Sequence, residues 1–314
     1  MLLTSGGDER LWIDPHTGAN RYGVPDAPAP NELWFSSSTA SAVSARGWAA
    51  AGAALANLGD PAAWMDQIRG RLLALYGVPG AEAVLCASGT EAEFIALALA
   101  RAIMAGRSGP PPLTNIVVAP CETGSGVPLA AAGRHFLAST ALAKTSLGGA
   151  PKAGDRLAGW DRAAIAVEPV EIRTAAGAVI APQDVDAAAE RHARRALAAG
   201  RGVLLHILDQ SKTGLSGVSR AAALAIASLD LERVLVVVDA CQLRCDAAAV
   251  RADLAAGFAV MITGSKFAGG PPFAGALLLP PAWLRRLDAL AIPPGLADYS
   301  AGLDWPASLR AAVA

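Results

Sequence analysis

Lys266 is the residue whose type and position point most directly to chemistry. It is one of only four lysines among 26 basic residues, and it stands between an apolar run and a turn rich in Gly and Pro. A desolvated lysine amine can form a Schiff base with an aldehyde, whereas a guanidinium cannot do so at neutral pH. The sequence therefore indicates a reactive amine at this position. The alternative is a solvated lysine at the edge of a loop.

A second segment, residues 86–93, joins a short apolar run to the start of a predicted helix. Its small residues leave backbone N–H groups accessible at the positive end of that helix, where a phosphate binds well. The hydroxyls of Ser88 and Thr90 add two further donors. Ser88 and Glu91 also fit an S-x-x-E capping box, which many helices have without any ligand. A phosphate site and a simple helix cap therefore both remain open.

A carboxylate follows the apolar run at residues 234–238, where Asp239 ends a predicted buried strand. Burying a carboxylate is costly unless it meets a cation or strong hydrogen-bond donors. Asp239 is therefore expected to pair with a protonated ring nitrogen of a ligand, or else to cap a helix or pair with Arg244.

The strand predicted before it, at residues 202–208, also ends in polar side chains, in a cluster at residues 206–214. His206 is expected to pack within the strand. Ser211 and Lys212 are better placed to face a ligand, because they follow the strand and precede a glycine turn.

Short apolar runs alternate with helix-like stretches along most of the chain, which predicts a parallel sheet with crossover helices. The predicted strands lie at residues 83–87, 116–119, 134–138, 164–170, 202–208, 234–238, 258–262 and 275–279. The predicted helices lie at residues 61–76, 90–104, 127–132 and 183–199. Open α/β sheets build their sites outside the carboxyl ends of the strands, which is where the reactive segments fall.

The composition favours a compact, soluble, enzyme-like protein over a disordered one, with 53% hydrophobic and 17% charged residues. A net charge of -1 argues against nucleic acid or an anionic membrane surface as a partner. The first ten residues become charged before an apolar signal segment could form, so a cytoplasmic location is expected. The four cysteines are expected to be reduced and packed, and no metal site is expected: Cys86, Cys121, Cys241 and Cys245.

The reactive segments follow one another in an order that a pyridoxal 5′-phosphate (PLP) site requires. A phosphate-binding helix start is followed by an acidic strand end and then by a lysine after the next strand. Phosphate, ring nitrogen and aldehyde each meet a chemically matched partner. Asp239 would keep the ring nitrogen protonated, and Lys266 would hold the aldehyde and act as general base and acid.

With these motifs the chain resembles the fold-type I PLP-dependent enzymes, and within them the class V aminotransferase and cysteine desulfurase branch. The resemblance covers residues 61–279 and rests on residues 87–92, 211–214, 238–242 and 263–272. It implies a three-layer α/β/α sandwich around a mostly parallel sheet of about seven strands. It also implies PLP as cofactor, an amino acid or amine as substrate, and a homodimer.

The resemblance also implies which residues would hold the cofactor. Lys266 matches the Schiff-base lysine and Asp239 the partner of the ring nitrogen, and these two would be the catalytic residues. Ser211 and Gln242 match positions that contact the ring hydroxyl, while Thr263 matches a phosphate-binding serine. The full predicted set of cofactor-binding residues is Ser88, Gly89, Thr90, Thr123, Ser211, Asp239, Gln242, Thr263, Ser265 and Lys266.

The chain departs from the family pattern at several positions. Ser265 stands where the family often has histidine, and Thr123 stands where the branch has a histidine that stacks on the cofactor ring. Ring packing must therefore come from elsewhere or be weaker. Because no cysteine follows Cys245, sulfur transfer through a persulfide is disfavoured.

Residues 1–60 are expected to form an N-terminal arm, residues 61–285 the PLP-binding large domain, and residues 286–314 a remnant of a C-terminal domain that is small or missing. Family members usually take the arginine for the substrate carboxylate from that C-terminal domain. Arg21 or Arg244 could replace it here.

The leading functional hypothesis is a PLP-dependent enzyme of the aminotransferase type. A PLP-dependent lyase or decarboxylase on the same site stays open, because substrate orientation selects the reaction. A protein that keeps the fold and binds without turnover also stays open. A nucleotide-binding α/β protein is much weaker, because both G-x-G-x-x-G and a Walker lysine are missing after the first predicted strand.

Overall fold

The computed structural model describes residues 7–35, 37–106, 109–138, 140, 142, 152–161, 164–287, 290 and 292–311. The strands are β1 Glu82–Cys86, β2 Leu113–Val118, β3 Ile165–Val170, β4 Gly202–Leu208, β5 Val234–Ala240, β6 Ala259–Thr263 and β7 Gly275–Leu279. The helices in these residues are α1 Ala45–Ala56, α2 Pro61–Tyr76, α3 Gly89–Ile103, α4 Val127–Ala131, α5 Pro182–Ala198, α6 Arg220–Ala227, α7 Ala247–Ala255, α8 Pro281–Leu284 and α9 Ala307–Arg310.

The strands form one seven-stranded sheet in the order β1-β7-β6-β5-β4-β2-β3. Strand β7 runs antiparallel to both of its neighbours, and the other pairings are parallel. The residues of β4 are buried along its whole length, as are nearly all of β5. Apolar, largely β-branched runs of this kind suit central strands that are covered on both faces.

Helices cover both faces of this sheet. On one face, α2, α5, α6 and α7 pack through residues such as Tyr76, Val185 and Ile226. On the other face, α3 packs through Phe94 and Leu97 together with aromatic side chains from loops. The predicted three-layer α/β/α sandwich with a mostly parallel sheet is confirmed.

Helix α3 is unusual because nearly every side chain on it is buried. Ser88 caps its N-terminus by accepting a hydrogen bond from the backbone N–H of Thr90 at 3.2 Å. The helix therefore begins immediately after β1, and its first turn lies at the carboxyl edge of the sheet. None of the helices in the described residues is long and apolar enough to cross a membrane.

Two elements differ from the sequence prediction. The predicted strand at residues 134–138 forms only an isolated bridge between Arg134 and Arg156, because Phe136 turns inward and packs against Phe94 and Tyr299. The first sixty residues, for which an N-terminal arm and no helix were predicted, contain α1. Its alanine-rich sequence favours a helix, and the side chain of Ser44 caps it.

Candidate functional site

A cavity of about 340 Å³ lies at the carboxyl ends of the parallel strands. Its walls come from the start of α3, the ends of β4, β5 and β6, a glycine-rich loop after β2, and the N-terminal arm. The lining residues are Glu9, Arg10, Arg21, Tyr22, Ser37, Ser38, Thr39, Ser88, Gly89, Thr90, Glu93, Gly124, Ser125, Gly126, Val127, Phe136, Leu137, Ala153, Lys212, Asp239, Cys241 and Lys266. Of the ten predicted cofactor-binding residues, this lining contains Ser88, Gly89, Thr90, Asp239 and Lys266.

The start of α3 forms one wall of the cavity. A side chain at Gly89 would collide with the sulfur of Cys241, so only glycine lets the backbone lie this close to the end of β5. The first turn of a helix has N–H groups without intrahelical acceptors, and the hydroxyl of Thr90 lies beside them. Ser88 is already occupied, because it accepts a hydrogen bond from Arg10 at 3.1 Å and donates one to Glu91.

Asp239 and Glu93 bring two carboxyl groups to the cavity. Asp239 accepts a hydrogen bond from the backbone N–H of Cys241 at 3.0 Å, which orients it. Glu93 is 3% exposed, and its Oε2 has no hydrogen-bond partner among the described residues. Burial, and then the charge of Asp239, raise the pKa of Glu93 well above its usual range. Glu93 is therefore held neutral beside Asp239.

His206 lies behind Glu93 in β4, with its Nδ1 3.3 Å from Glu93 Oε1. Burial lowers the pKa of His206 to about 3, so the imidazole is neutral as well. The two groups form a buried, uncharged pair between the cavity floor and the sheet. His206 packs within its strand, as predicted.

Lys266 occupies a turn that is fastened from both sides. Its carbonyl accepts a hydrogen bond from Gly269 at 2.9 Å, and Gly270 donates to Gly264 at 2.8 Å. The hydroxyl and backbone N–H of Ser44, at the start of α1, donate to the Gly269 carbonyl at 2.8 and 3.0 Å. Helix α1 therefore helps to position the loop that carries the reactive amine.

Two of the predicted residues that lie outside the lining are turned toward the loop after β2. The hydroxyl of Ser211 donates to Glu122 at 2.7 Å, and the hydroxyl of Thr123 donates to the carbonyl of Pro120 at 2.9 Å. Burial alone would raise the pKa of Glu122, but hydrogen bonds from Thr213 and Ser211 and the partnership with Arg173 lower it overall. Glu122 is therefore ionised, and its hydrogen bond holds the Ser211 hydroxyl away from the cavity lining.

The other three lie beneath the cavity wall. Thr263 is buried and donates to the carbonyl of Cys241 at 2.5 Å. Gln242 accepts a hydrogen bond from Ser37 at 2.6 Å, so it reaches the cavity through a residue that does line it. Ser265 is fully buried, and its hydroxyl has no partner among the described residues.

On the N-terminal arm, sequence reasoning named only Arg21, which lines the cavity; it missed the rest of the arm, Glu93 and Phe136 as components of the site. The arm has no periodic pattern that could have indicated its path. It is anchored by Arg10, which is 4% exposed and forms ion pairs with Asp8 at 2.6 Å and with Glu91. Phe136 supplies an aromatic ring to the wall, and the guanidinium of Arg10 lies 5.3 Å from the centre of that ring.

The charges around the cavity are unevenly paired. Arg10 is neutralised as described, and Arg21 pairs with Glu9 at 2.8 Å. Neither Lys212 nor Lys266 forms an ion pair with a described carboxylate. Two unpaired amines, an exposed helix N-terminus and a carboxylate in one cavity suit a ligand that carries an anionic group, a carbonyl and a basic nitrogen.

The amino-acid sequence matches no family model and no curated protein. Among solved structures, the chain is similar to the Oryza sativa protein TDC with PLP and tryptamine, at 16% identity over 79% of this chain and 49% of that chain, with a TM-score of 0.52. Mouse CSAD is 18% identical over 79% of this chain and 50% of that chain, with a TM-score of 0.47. A phosphoserine aminotransferase from Cytophaga hutchinsonii is 15% identical over 82% and 58%, with a TM-score of 0.47.

These solved structures are fold-type I PLP-dependent enzymes. At this level of identity the likeness to TDC shows the fold alone, and it confirms the predicted fold. The chain spans about half the length of the TDC and CSAD structures.

Proposed function

We propose that this protein binds PLP at Lys266 and acts on an amino acid or another amine, with aminotransferase-type chemistry. The observation that carries the proposal is that Lys266, Asp239 and the first turn of α3 line one cavity, although they are far apart in sequence. The separate motifs could each have a structural explanation. Their convergence is what a ligand with three different functional groups needs.

The residues present fit the cofactor. Glycine at residue 89 lets the start of α3 lie against Cys241 at the end of β5, and the N–H groups of this first turn line the cavity where a phosphate could bind. The unpaired amine of Lys266 lines the same cavity as Asp239 and the first turn of α3. Phe136 provides an aromatic surface in the cavity, where Thr123 cannot. The neutral state of Glu93 leaves Asp239 to accept a hydrogen bond from a ring nitrogen without a second negative charge beside it.

PLP, when bound, supplies an electron sink for a carbanion at the substrate α-carbon. The chain supplies the rest. Asp239 would accept a hydrogen bond from the N–H of the cofactor ring. The backbone N–H groups of the first α3 turn and the Thr90 hydroxyl would donate hydrogen bonds to the phosphate. The amine of Lys266 would remove a proton from the substrate α-carbon and return it at another position.

The first test is cofactor uptake. Purified protein mixed with PLP should develop an absorption band at about 420 nm, and Lys266→Ala should lose it. Borohydride reduction followed by peptide mass spectrometry should locate the cofactor on Lys266 and leave Lys212 unmodified. Lys212 is the internal control, because its amine lines the same cavity. A colourless wild-type protein, or a label on Lys212, would contradict the assignment of PLP to Lys266.

The reaction is tested by its products. Holo-protein incubated with amino acids and a 2-oxo acid should exchange amino groups. Release of carbon dioxide with the matching amine would instead favour a decarboxylase, and elimination products a lyase. A PLP-loaded protein that converts none of the amino acids would favour the non-catalytic reading.

A homodimer is part of the proposal. It is supported by exposed apolar side chains on the N-terminal arm, among them Leu33 at 86% and Phe35 at 97% exposure, which are atypical of a free surface. Light scattering that gives a monomer mass for the holo-protein would contradict it.

A further inference from the structure

Four cationic side chains line the cavity, and only one of them lacks both an acidic partner and a role in the proposed function. Arg10 is held by Asp8 and Glu91, and Arg21 is held by Glu9. Lys266 is assigned to the cofactor. Lys212 remains, with its amine at the mouth of the cavity.

Hydrogen bonds hold the backbone of the loop that carries Lys212, so the fold fixes the point from which this exposed residue reaches the cavity. The backbone N–H of Lys212 donates to the carbonyl of Glu122 at 3.3 Å. The guanidinium of Arg244 donates to the carbonyls of Ser211 at 3.2 Å and Lys212 at 3.4 Å. Arg244 also lies 4.0 Å from the ring centre of Phe267. These contacts occupy Arg244, which does not line the cavity.

The position of Lys212 favours an anionic partner. Burial, and then the nearby charge of Lys266, lower the pKa of Lys212, so its ammonium form is less stable in the free protein than it would be in water. An anion bound between the two lysines would relieve that cost. The phosphate-binding wall is formed by α3, whereas Lys212 comes from the end of β4, beside the lysine that a substrate amine must approach.

We propose that Lys212 binds the carboxylate of an α-amino-acid substrate, and this inference rests on the proposed function. Lys212 and Lys266 line the same cavity, so a substrate whose amino group is directed to Lys266 would have Lys212 as the other unpaired amine available to its carboxylate. The family resemblance implies an arginine from a C-terminal domain for this task. Here a lysine at the end of a central strand performs it, with Arg244 as the residue that positions the lysine loop.

The experiment compares amino acids with amines that lack only the carboxylate. Holo-protein is titrated with L-alanine and ethylamine, L-glutamate and 4-aminobutyrate, and L-tryptophan and tryptamine, and binding is followed by the absorbance of the bound cofactor and by calorimetry. The variants are Lys212→Met, which keeps the length of the side chain without its charge, and Lys212→Arg. Arg194→Met on the exposed face of α5 is the matched control.

PLP affinity is measured first for every variant, so that failure of the proposed function is seen separately. We expect Lys212→Met to bind PLP as the wild type does and to lose about 10- to 100-fold in amino-acid affinity, with amine affinity unchanged. Lys212→Arg should recover most of the loss, and Arg194→Met should behave as wild type.

Several results would overturn the inference. One is an equal loss for both members of a pair, which would indicate a general structural effect. Another is unchanged amino-acid affinity in Lys212→Met. Loss of PLP binding in that variant would assign Lys212 to the cofactor phosphate instead. Wild-type holo-protein that binds no amino acid more tightly than the matching amine would also overturn it.

Discussion

Two cavities lie on either side of the start of α3, and they differ in more than size. One has a volume of about 610 Å³ and is lined mainly by apolar side chains from α2, β1 and β6, such as Met65, Leu72 and Ile262. The other, of about 340 Å³, contains Asp239 and two amines. The larger cavity offers volume, apolar surface and carboxyl groups such as Glu91, but of the two only the smaller one has lysine amines beside a carboxylate. Convergent polar groups identify the site better than volume does.

Two glutamates on α3 show the same contrast at the level of single residues. Glu91 lines the larger cavity and is bound to the buried Arg10. Glu93, two residues later, lines the smaller cavity and is neutral. One helix turn thus carries a structural carboxylate and a carboxyl that belongs to the site, and the difference lies in whether a cation is within reach.

The largest effect is expected from replacing Glu91 by glutamine, with the same replacement at Glu93 as the comparison. Glu91→Gln should lower the free energy of unfolding by about 2–3 kcal/mol at pH 7, because it removes one acidic partner of a buried arginine. Glu93→Gln should not lower it at pH 7, because glutamine removes the cost of keeping a carboxyl uncharged at a pH where it ionises in the unfolded chain. Urea denaturation of both variants measures the difference.

The pH dependence provides the control for this comparison. Because the folded pKa of Glu93 lies above its unfolded value, its contribution to stability is complete below the unfolded pKa and is lost as the pH rises toward the folded pKa. Glu93→Gln should therefore gain stability relative to wild type as the pH rises. A loss at pH 7 as large as that of Glu91→Gln would mean that Glu93 is ionised.

The next effect tests the neutral pair behind the smaller cavity. The folded pKa of His206 is about 3, below its unfolded value of about 6.5, so its contribution to stability is present above pH 6.5 and is lost as the pH falls toward 3. Between pH 7 and pH 5 the wild type should lose about 2 kcal/mol through this residue. His206→Leu should lack that component of the acid sensitivity in urea denaturation.

His16 offers a matched control, because it is an exposed histidine on the N-terminal arm. His16→Gln should keep the acid sensitivity of the wild type. An unchanged pH profile in His206→Leu would show that the imidazole can ionise in the folded protein, and the neutral pair would then be wrong.

The smallest effects separate stability from binding. Leu72→Ala in the larger cavity should lower the free energy of unfolding by about 1–2 kcal/mol, since the side chain is half-buried, and should leave PLP affinity unchanged. Thr90→Val in the smaller cavity should lower PLP affinity by about 1 kcal/mol, through loss of one hydrogen-bond donor, and leave stability nearly unchanged. Denaturation and cofactor titration of both variants test the pair. Reduced PLP affinity in Leu72→Ala would contradict the assignment of PLP binding to the smaller cavity alone.

The sheet could be predicted from the sequence with small errors at its boundaries. Strands β4 and β7 have the predicted bounds, and β5 extends two residues further than predicted. The prediction of strand positions succeeds because hydrophobic periodicity is a local property of the chain. The prediction of a strand at residues 134–138 fails because the burial of Phe136 depends on Phe94 and Tyr299, which are both distant in sequence.

Within the site, the sequence by itself determined which chemical groups stand at the ends of the strands. Gly89, Asp239 and Lys266 each follow an apolar run, and parallel strands bring such ends to one edge of a sheet. Only the tertiary structure decided which neighbouring side chains reach the cavity. The Ser211 hydroxyl donates a hydrogen bond to Glu122, while Lys212, one residue later, lines the cavity. The physical reason is competition for hydrogen bonds, because the acceptor that captures a side chain can come from any part of the chain that folding brings near.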